Sequence, residues 1–224
     1  MLRMSVKTTL ENSKILFLGG SGLLGTYLVP LLKRYKPEYE VICPSHQELD
    51  LCSNIKPIPG IDLVVHAAAY TEVTMADKMA RKCVNINAWG TDRLIKAYPD
   101  TPFVYISSEY ALKPTNMYAA SKLMGELVVR ANCKYYLIIR TLFKPDIWEW
   151  DNAFADQWTQ GDVVSVIAPL IAKKIKRWNR RSEKLVYVGT GRKLMIDIAR
   201  KSKPNVVPSS VKDIKTVVIP SDYR

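Results

Sequence analysis

Residues 14–35 read KILFLGGSGLLGTYLVPLLKRY. The opening KILFLGG (14–20) is a short apolar run closed by glycines, which predicts a strand buried on both faces. GLLGTYLVPLLKRY (22–35) carries apolar residues at helical spacing and predicts a helix, with Pro30 as a kink or an early break. The loop between them, GGSGLLG, satisfies both GxGxxG (Gly20, Gly22, Gly25) and GxxGxxG (Gly19, Gly22, Gly25). Glycine allows the tight turn and lets backbone N–H groups approach a pyrophosphate, while the helix N-terminus adds positive potential. Gly25 permits close packing of helix on strand. Gly19, Ser21, Gly22, Leu23, Leu24 and Gly25 are therefore candidate cofactor-binding residues. A glycine-rich turn that holds no ligand would look the same, so the surrounding sequence has to decide.

Outward from this unit, EVIC (40–43), IDLVVHAAA (61–69), FVYISS (103–108) and YYLIIRT (135–141) read as further strands. Residues 84–98 and 117–132 read as helices between them. Apolar strands alternating with helices predict an α/β fold, a Rossmann-type doubly wound parallel sheet with a small C-terminal substrate lobe. The expected division is a dinucleotide-binding domain over 1–145 and a reduced lobe over 146–224, the two sharing some strands and helices. Within the lobe, 170–178 and 192–202 read as helices, and 184–189 and TVVIP (216–220) as strands. Ligands of such sheets bind at the carboxyl ends of the strands. That places 19–25, 66–70, 107–109 and 140–143 along one rim.

Composition narrows the class. With 48% hydrophobic residues the chain can build a core. No apolar run approaches the ~20 residues that cross a bilayer, and the N-terminus lacks the apolar stretch of a signal peptide. Four scattered cysteines without a CxxC pair fit reduced thiols in a cytoplasmic protein. With two histidines, no metal site is expected. The net charge is +12, much of it between Lys173 and Lys203. A solvated helix face explains that excess most simply; small anionic ligands carrying pyrophosphate are a second explanation, and nucleic acid is disfavoured for want of a recognition motif.

The second strand ends at Cys43-Pro44-Ser45-His46. A fold that prefers NAD usually places a carboxylate there to hold the ribose hydroxyls. The first carboxylate here is Glu48, whereas Ser45 and His46 could donate hydrogen bonds to a 2′-phosphate. NADP(H) is accordingly favoured over NAD(H), although an exposed loop histidine without a ligand would read alike.

Tyr118-Ala-Ala-Ser-Lys122 opens a helix, and i,i+4 spacing puts Tyr118 and Lys122 on one face. Hydride transfer to a ketone makes an alkoxide that needs a proton. A phenol titrates near 10; a neighbouring ammonium and an oxidised nicotinamide would lower that value and let Tyr118 act as acid or base. A serine hydroxyl opposite would polarise the carbonyl. Ser108 takes that role, with Ser107 as the alternative. Trp148, Trp150, Phe154 and Trp158 could stack on a nucleobase, though core or dimer contacts are the commoner use of such residues. Arg177 and Arg180 could grip a diphosphate, and Arg140 reads as structural.

Taken in order, GGSGLLG, QELDL (47–51), DLVVHAAAYTEV (62–73), VNINAWGT (84–91), YISSEY (105–110), YAASKLMGE (118–126) and LIIRT (137–141) resemble the extended short-chain dehydrogenase/reductase superfamily. Within it the likeness is to nucleotide-sugar reductases of the dTDP-4-dehydrorhamnose reductase type, the enzymes of dTDP-rhamnose biosynthesis. The resemblance implies that Asp50 and Leu51 lie beside the adenine and that Ala67, Ala68 and Ala69 line the cofactor groove. It implies that Asn87 braces the active-site helix and that Ser108, Tyr118 and Lys122 are catalytic, Tyr118 and Lys122 also touching the cofactor. Tyr70, Ser107, Glu109 and Asn152 are the expected substrate contacts. The implied activity is NAD(P)H-dependent reduction of a 4-keto sugar nucleotide by a homodimer built on the helices of Asn87 and Tyr118. A nucleotide-sugar epimerase, a combined epimerase/reductase, and a non-catalytic NAD(P)-binding regulatory protein are the alternatives.

Overall fold

A computed structural model describes residues 13–35, 37–215 and 222. The strand expected at 216–220 lies outside them. The first strand, β1 (Lys14–Leu18), alternates its side chains between two cores: Ile15 and Phe17 face one layer, Leu16 and Leu18 the other. β4 (Phe103–Ile106) and β5 (Tyr136–Thr141) divide in the same way. A strand with both faces buried needs helices on both sides, and this is why these runs are apolar throughout.

With β2 (Glu40–Ile42), β3 (Leu63–His66) and β10 (Glu183–Val188), these strands form a six-stranded sheet in the order β10-β5-β4-β3-β1-β2, every pairing parallel. On one face α1 (Leu23–Tyr35) packs against α5 (Val164–Arg177), burying Leu24, Leu28 and Leu32 against Ile167, Ile171 and Ile175. α1 runs through Pro30 without the early break that the sequence offered as one reading. The other face is covered by α3 (Gly90–Ala97) and α4 (Met117–Asn132), with α2 (Ala80–Val84) packed against α4. α2 and α3 are joined by a π-helical stretch, Asn85–Trp89, that holds Asn87. Such stretches are rare and cluster at functional sites.

Residues 146–224 contribute in two ways. β10 pairs with β5 and extends the sheet, and α5 covers its face. The remainder makes small patches: β6 (Phe143–Lys144) with β9 (Asp162–Val163), β7 (Asn152–Phe154) with β12 (Val207–Ser209), and β8 (Trp158–Thr159) with β11 (Lys193–Leu194). α6 (Met195–Arg200) packs there in a third apolar cluster with Trp148, Leu142 and Tyr110. No described helix is long and apolar enough to cross a membrane.

Candidate active site

A groove of about 680 Å³ runs along the carboxyl ends of the strands. The glycine loop forms its floor. Gly19 has φ +89°, a left-handed conformation that favours glycine. A Cβ on Gly25 would fall 2.2 Å from the Gly19 carbonyl oxygen, so α1 could not sit so close to the turn with any other residue there. A cradle of bare backbone at a helix N-terminus, opening into a long groove, fits the diphosphate of a dinucleotide.

Most of the predicted residues meet in this groove. Gly19, Ser21, Gly22, Leu23, Leu24 and Gly25 line it, as do His46, Asp50, Leu51, Ala67, Ala68, Ala69, Ser107, Ser108, Tyr118 and Lys122. Ser45 does not: it folds back into a local turn with Glu48, whose Oε2 accepts from the Ser45 N–H at 2.7 Å. Asp50 is held locally too, accepting from the Cys52 N–H and the Ser53 hydroxyl, with His46 Nδ1 3.7 Å away.

Asn87 and Tyr70 stand behind the wall. Asn87 Oδ1 accepts from the Tyr70 N–H at 2.7 Å, and its Nδ2 donates to the Tyr70 carbonyl and to Ser121 Oγ. Ser121 in turn donates to the Tyr118 carbonyl at 2.8 Å. Asn87 thus ties the loop after β3 to the first turn of α4. Glu109 turns away from the groove into the C-terminal lobe, where Thr159 Oγ1 (2.6 Å) and the Gln160 N–H (3.0 Å) donate to it. Asn152 is exposed on β7, its carbonyl accepting from Trp148 Nε1. Neither lines the groove: Glu109 is claimed by the lobe, and Asn152 stands exposed on β7.

Local capping sets the Ser, Tyr and Lys geometry. The Asn116 side chain accepts from the Ala119 N–H at 2.8 Å and starts α4 immediately before Tyr118. Ser108 caps the short turn after β4, accepting from the Tyr110 N–H at 3.2 Å. These two caps bring Ser108 and Tyr118 together on the wall of the groove. Ser107 is committed elsewhere, donating to Glu126 Oε1 at 2.6 Å. Of the two serines, Ser108 is the one that faces Tyr118.

One electrostatic expectation changes. Tyr118 is pushed up to about 12 by burial, only partly offset by the influence of Ser108, and not lowered by Lys122. The Lys122 ammonium is turned toward the end of β4, donating to the Ile106 carbonyl at 2.7 Å and lying 4.3 Å from the Tyr105 ring centre. Lys122 is 3% exposed. Burial brings its pKa down to about 7, against the opposing influence of Glu126.

This burial has a consequence for stability. Between the folded pKa of about 7 and the ordinary lysine value of 10.5, the unfolded chain holds a proton that the folded chain has shed. The Lys122 contribution therefore improves as pH rises through that window and is least favourable below it. Lys122→Met is expected to raise stability by about 1–2 kcal/mol at pH 6, after the loss of the Ile106 hydrogen bond. That advantage should shrink as pH approaches 10. Urea melts of both proteins at pH 6, 8 and 9.5 check this; a difference that stays constant across the series refutes it.

The groove also contains Lys144, Pro145 and Glu149, which the sequence did not single out, beside Thr141 and Phe143 of the 140–143 rim and Trp150 of the aromatic group. The anticipated aromatic cluster divides. Trp148 and Trp150 form an edge-on pair at 4.8 Å, Trp158 stacks under Arg192 at 3.8 Å, and Phe154 joins the core of the lobe. Arg180 is 1% exposed and cannot reach a diphosphate, and Arg177 lies outside the groove.

The family model described as RmlD substrate binding domain matches residues 13–145. Among solved structures, dTDP-4-dehydrorhamnose reductase from Bacillus anthracis, in complex with NADP, superposes with a TM-score of 0.76 at 23% identity, covering 94% of this chain and 89% of that one. The reductase of the same name from Yersinia enterocolitica gives 0.77 at 22% identity, covering 94% and 89%. By sequence, dTDP-D-glucose 4,6-dehydratase of Dictyostelium discoideum is 27% identical over 59% of this chain and 43% of its own length. The spore coat polysaccharide biosynthesis protein SpsK of Bacillus subtilis is 29% identical over 58% and 52%. The chain spans about half the length of the curated relatives it matches. The matched residues hold the glycine loop, Ser108, Tyr118, Lys122 and five of the six sheet strands, and on them the chain belongs to the RmlD substrate binding domain family, within the extended short-chain dehydrogenase/reductase superfamily.

Proposed function

We propose that the protein is an NAD(P)H-dependent reductase of a 4-keto sugar carried on a nucleoside diphosphate, with Ser108, Tyr118 and Lys122 as its catalytic residues. The observation that carries this reading is the convergence of Ser108, Tyr118 and Lys122 on the wall of a groove floored by a bare-backbone glycine loop. A nicotinamide held in that groove supplies the hydride. Tyr118, protonated up to about pH 12, is in the form that gives a proton to the oxygen of the ketone. Ser108 donates a hydrogen bond to the same oxygen and stabilises the charge that develops on it. The Lys122 ammonium, fixed at the strand end by the Ile106 carbonyl, would hold the ribose of a bound nicotinamide and supply positive charge there. A tyrosine held so firmly in its acid form suits reduction better than oxidation. The solved relative with NADP bound supports a nicotinamide cofactor. His46 at the groove edge, with Asp50 tied up locally, supports NADP(H) over NAD(H).

A thermal-shift screen with nucleotide sugars, in the presence of NADP⁺ or NAD⁺, tests cofactor and substrate class together. NADP⁺ is expected to raise Tm more than NAD⁺ at equal concentration, and a dTDP-linked sugar to raise it further. A chain that melts unchanged with either dinucleotide does not have this function.

A further inference from the structure

The groove contains a cation that the proposed chemistry leaves unused. Lys144, on β6, lines the groove. Among the described residues its ammonium meets no carboxylate; its neighbours are the rings of Trp150 at 5.0 Å and Trp148 at 5.9 Å. The adjacent carboxylate is engaged. Asp146 Oδ2 accepts from the Tyr27 hydroxyl at 2.7 Å, and its Oδ1 from the Ser165 N–H at 3.1 Å. Tyr27 lies in the second turn of α1, one turn beyond the glycine loop. The Tyr27–Asp146 bond therefore clamps the segment carrying Lys144 to the helix whose N-terminus faces the groove. The β6 pairing with β9, Lys144 opposite Val163, fixes it from the other side.

We propose that Lys144 is the cationic ligand of the cofactor diphosphate, which it would meet in the groove that the glycine loop also lines. The assignment rests on the dinucleotide reading above. Backbone N–H groups and a helix dipole supply only partial charges, about half an elementary charge at a helix N-terminus, whereas a diphosphate brings full negative charges. A lysine answers these as a point charge. Its positive end lies by two tryptophan rings, which supply no full countercharge and leave it available to an anion. Burial also pushes the Lys144 pKa below the usual lysine value, as expected of an ammonium whose charge is not yet matched.

The test is calorimetric titration of the full chain and its Lys144→Gln and Lys144→Arg variants with ADP-ribose, adenosine and dTDP. Lys144→Gln is expected to weaken ADP-ribose about 10- to 100-fold, the value of a charge-assisted contact. Adenosine should stay within about twofold, and Lys144→Arg should keep most of the ADP-ribose affinity. The salt dependence of ADP-ribose binding should also flatten in Lys144→Gln. ADP-ribose binding equally well to the wild type and Lys144→Gln overturns the assignment while leaving the dinucleotide site intact. Adenosine weakening as much as ADP-ribose overturns it as well, since the groove would then have deformed. A loss confined to dTDP places the ammonium on the substrate side and also overturns it. A wild type that binds neither ADP-ribose nor adenosine removes the cofactor reading and the role of Lys144 together.

Discussion

Tyr118→Phe is expected to lower the rate of NADPH oxidation with a dTDP-linked 4-keto-6-deoxyhexose by about 10³-fold, the usual worth of a positioned proton donor. Cofactor affinity should stay within about twofold, because the ring remains and only the hydroxyl is lost. The ring packs edge-on to Tyr110 at 5.9 Å, and Phe can keep that contact. The hydroxyl removed shares the groove wall with Ser108, so the ketone oxygen would lose its proton source and keep a single hydrogen-bond donor. Since Tyr118 stays protonated to about pH 12, loss of its proton will not limit the wild-type rate between pH 6 and 9. Any alkaline decline in that range belongs to Lys122, whose charge is lost as pH rises through about 7. Stopped-flow measurement of hydride transfer separates this step from product release. A Tyr118→Phe enzyme that keeps more than about a tenth of the wild-type rate would take Tyr118 out of the chemistry.

The parts of the site legible in the sequence are those fixed by local rules. The glycine loop follows from a strand, a turn that only glycine can make and a helix start; Tyr118 and Lys122 follow from i,i+4 geometry on a helix. The sheet was equally legible because strands buried on both faces must be apolar along their whole length. What remained hidden depends on tertiary partners. Glu109 follows Ser108 in sequence, yet a 3₁₀ turn swings it into the lobe, where Thr159 and Gln160 claim it. Ser45 read as a free donor, but Glu48 three residues later takes its N–H. Lys122 was placed on the correct face, but whether its ammonium meets a phenol or a carbonyl is set by β4, a different element. Lys144 carried no sequence signal at all, since its position in the groove comes from the pairing of two-residue strands and from a hydrogen bond between residues 27 and 146.

The largest stability effect is expected behind the catalytic helix. Glu126 is fully buried one turn after Lys122, and Arg140 on β5 grips it with two bonds, Nε to Oε1 at 2.8 Å and Nη2 to Oε2 at 2.7 Å. Ser107 adds a third donor, and the pairing raises the Arg140 pKa further above its ordinary value. A buried pair of this kind contributes little over a well-packed apolar pair, but losing one partner strands the other charge. Glu126→Ala is therefore expected to destabilise the fold by about 4 kcal/mol, a large share of the ~5–15 kcal/mol that holds a domain together. Glu126→Leu combined with Arg140→Met should recover most of that loss, since neither charge is then left alone. Urea melts of the single and double variants measure this, and a Glu126→Ala loss under about 1 kcal/mol would show that Arg140 finds water or another acceptor. The pair also bears on the chemistry. Glu126 is the main influence holding the Lys122 pKa up against burial, so its removal lets Lys122 shed its proton at a lower pH. In the milder Glu126→Gln variant, which keeps the side-chain shape, the alkaline limb of the rate profile should move toward acid. A purely structural ion pair would leave that limb where it is.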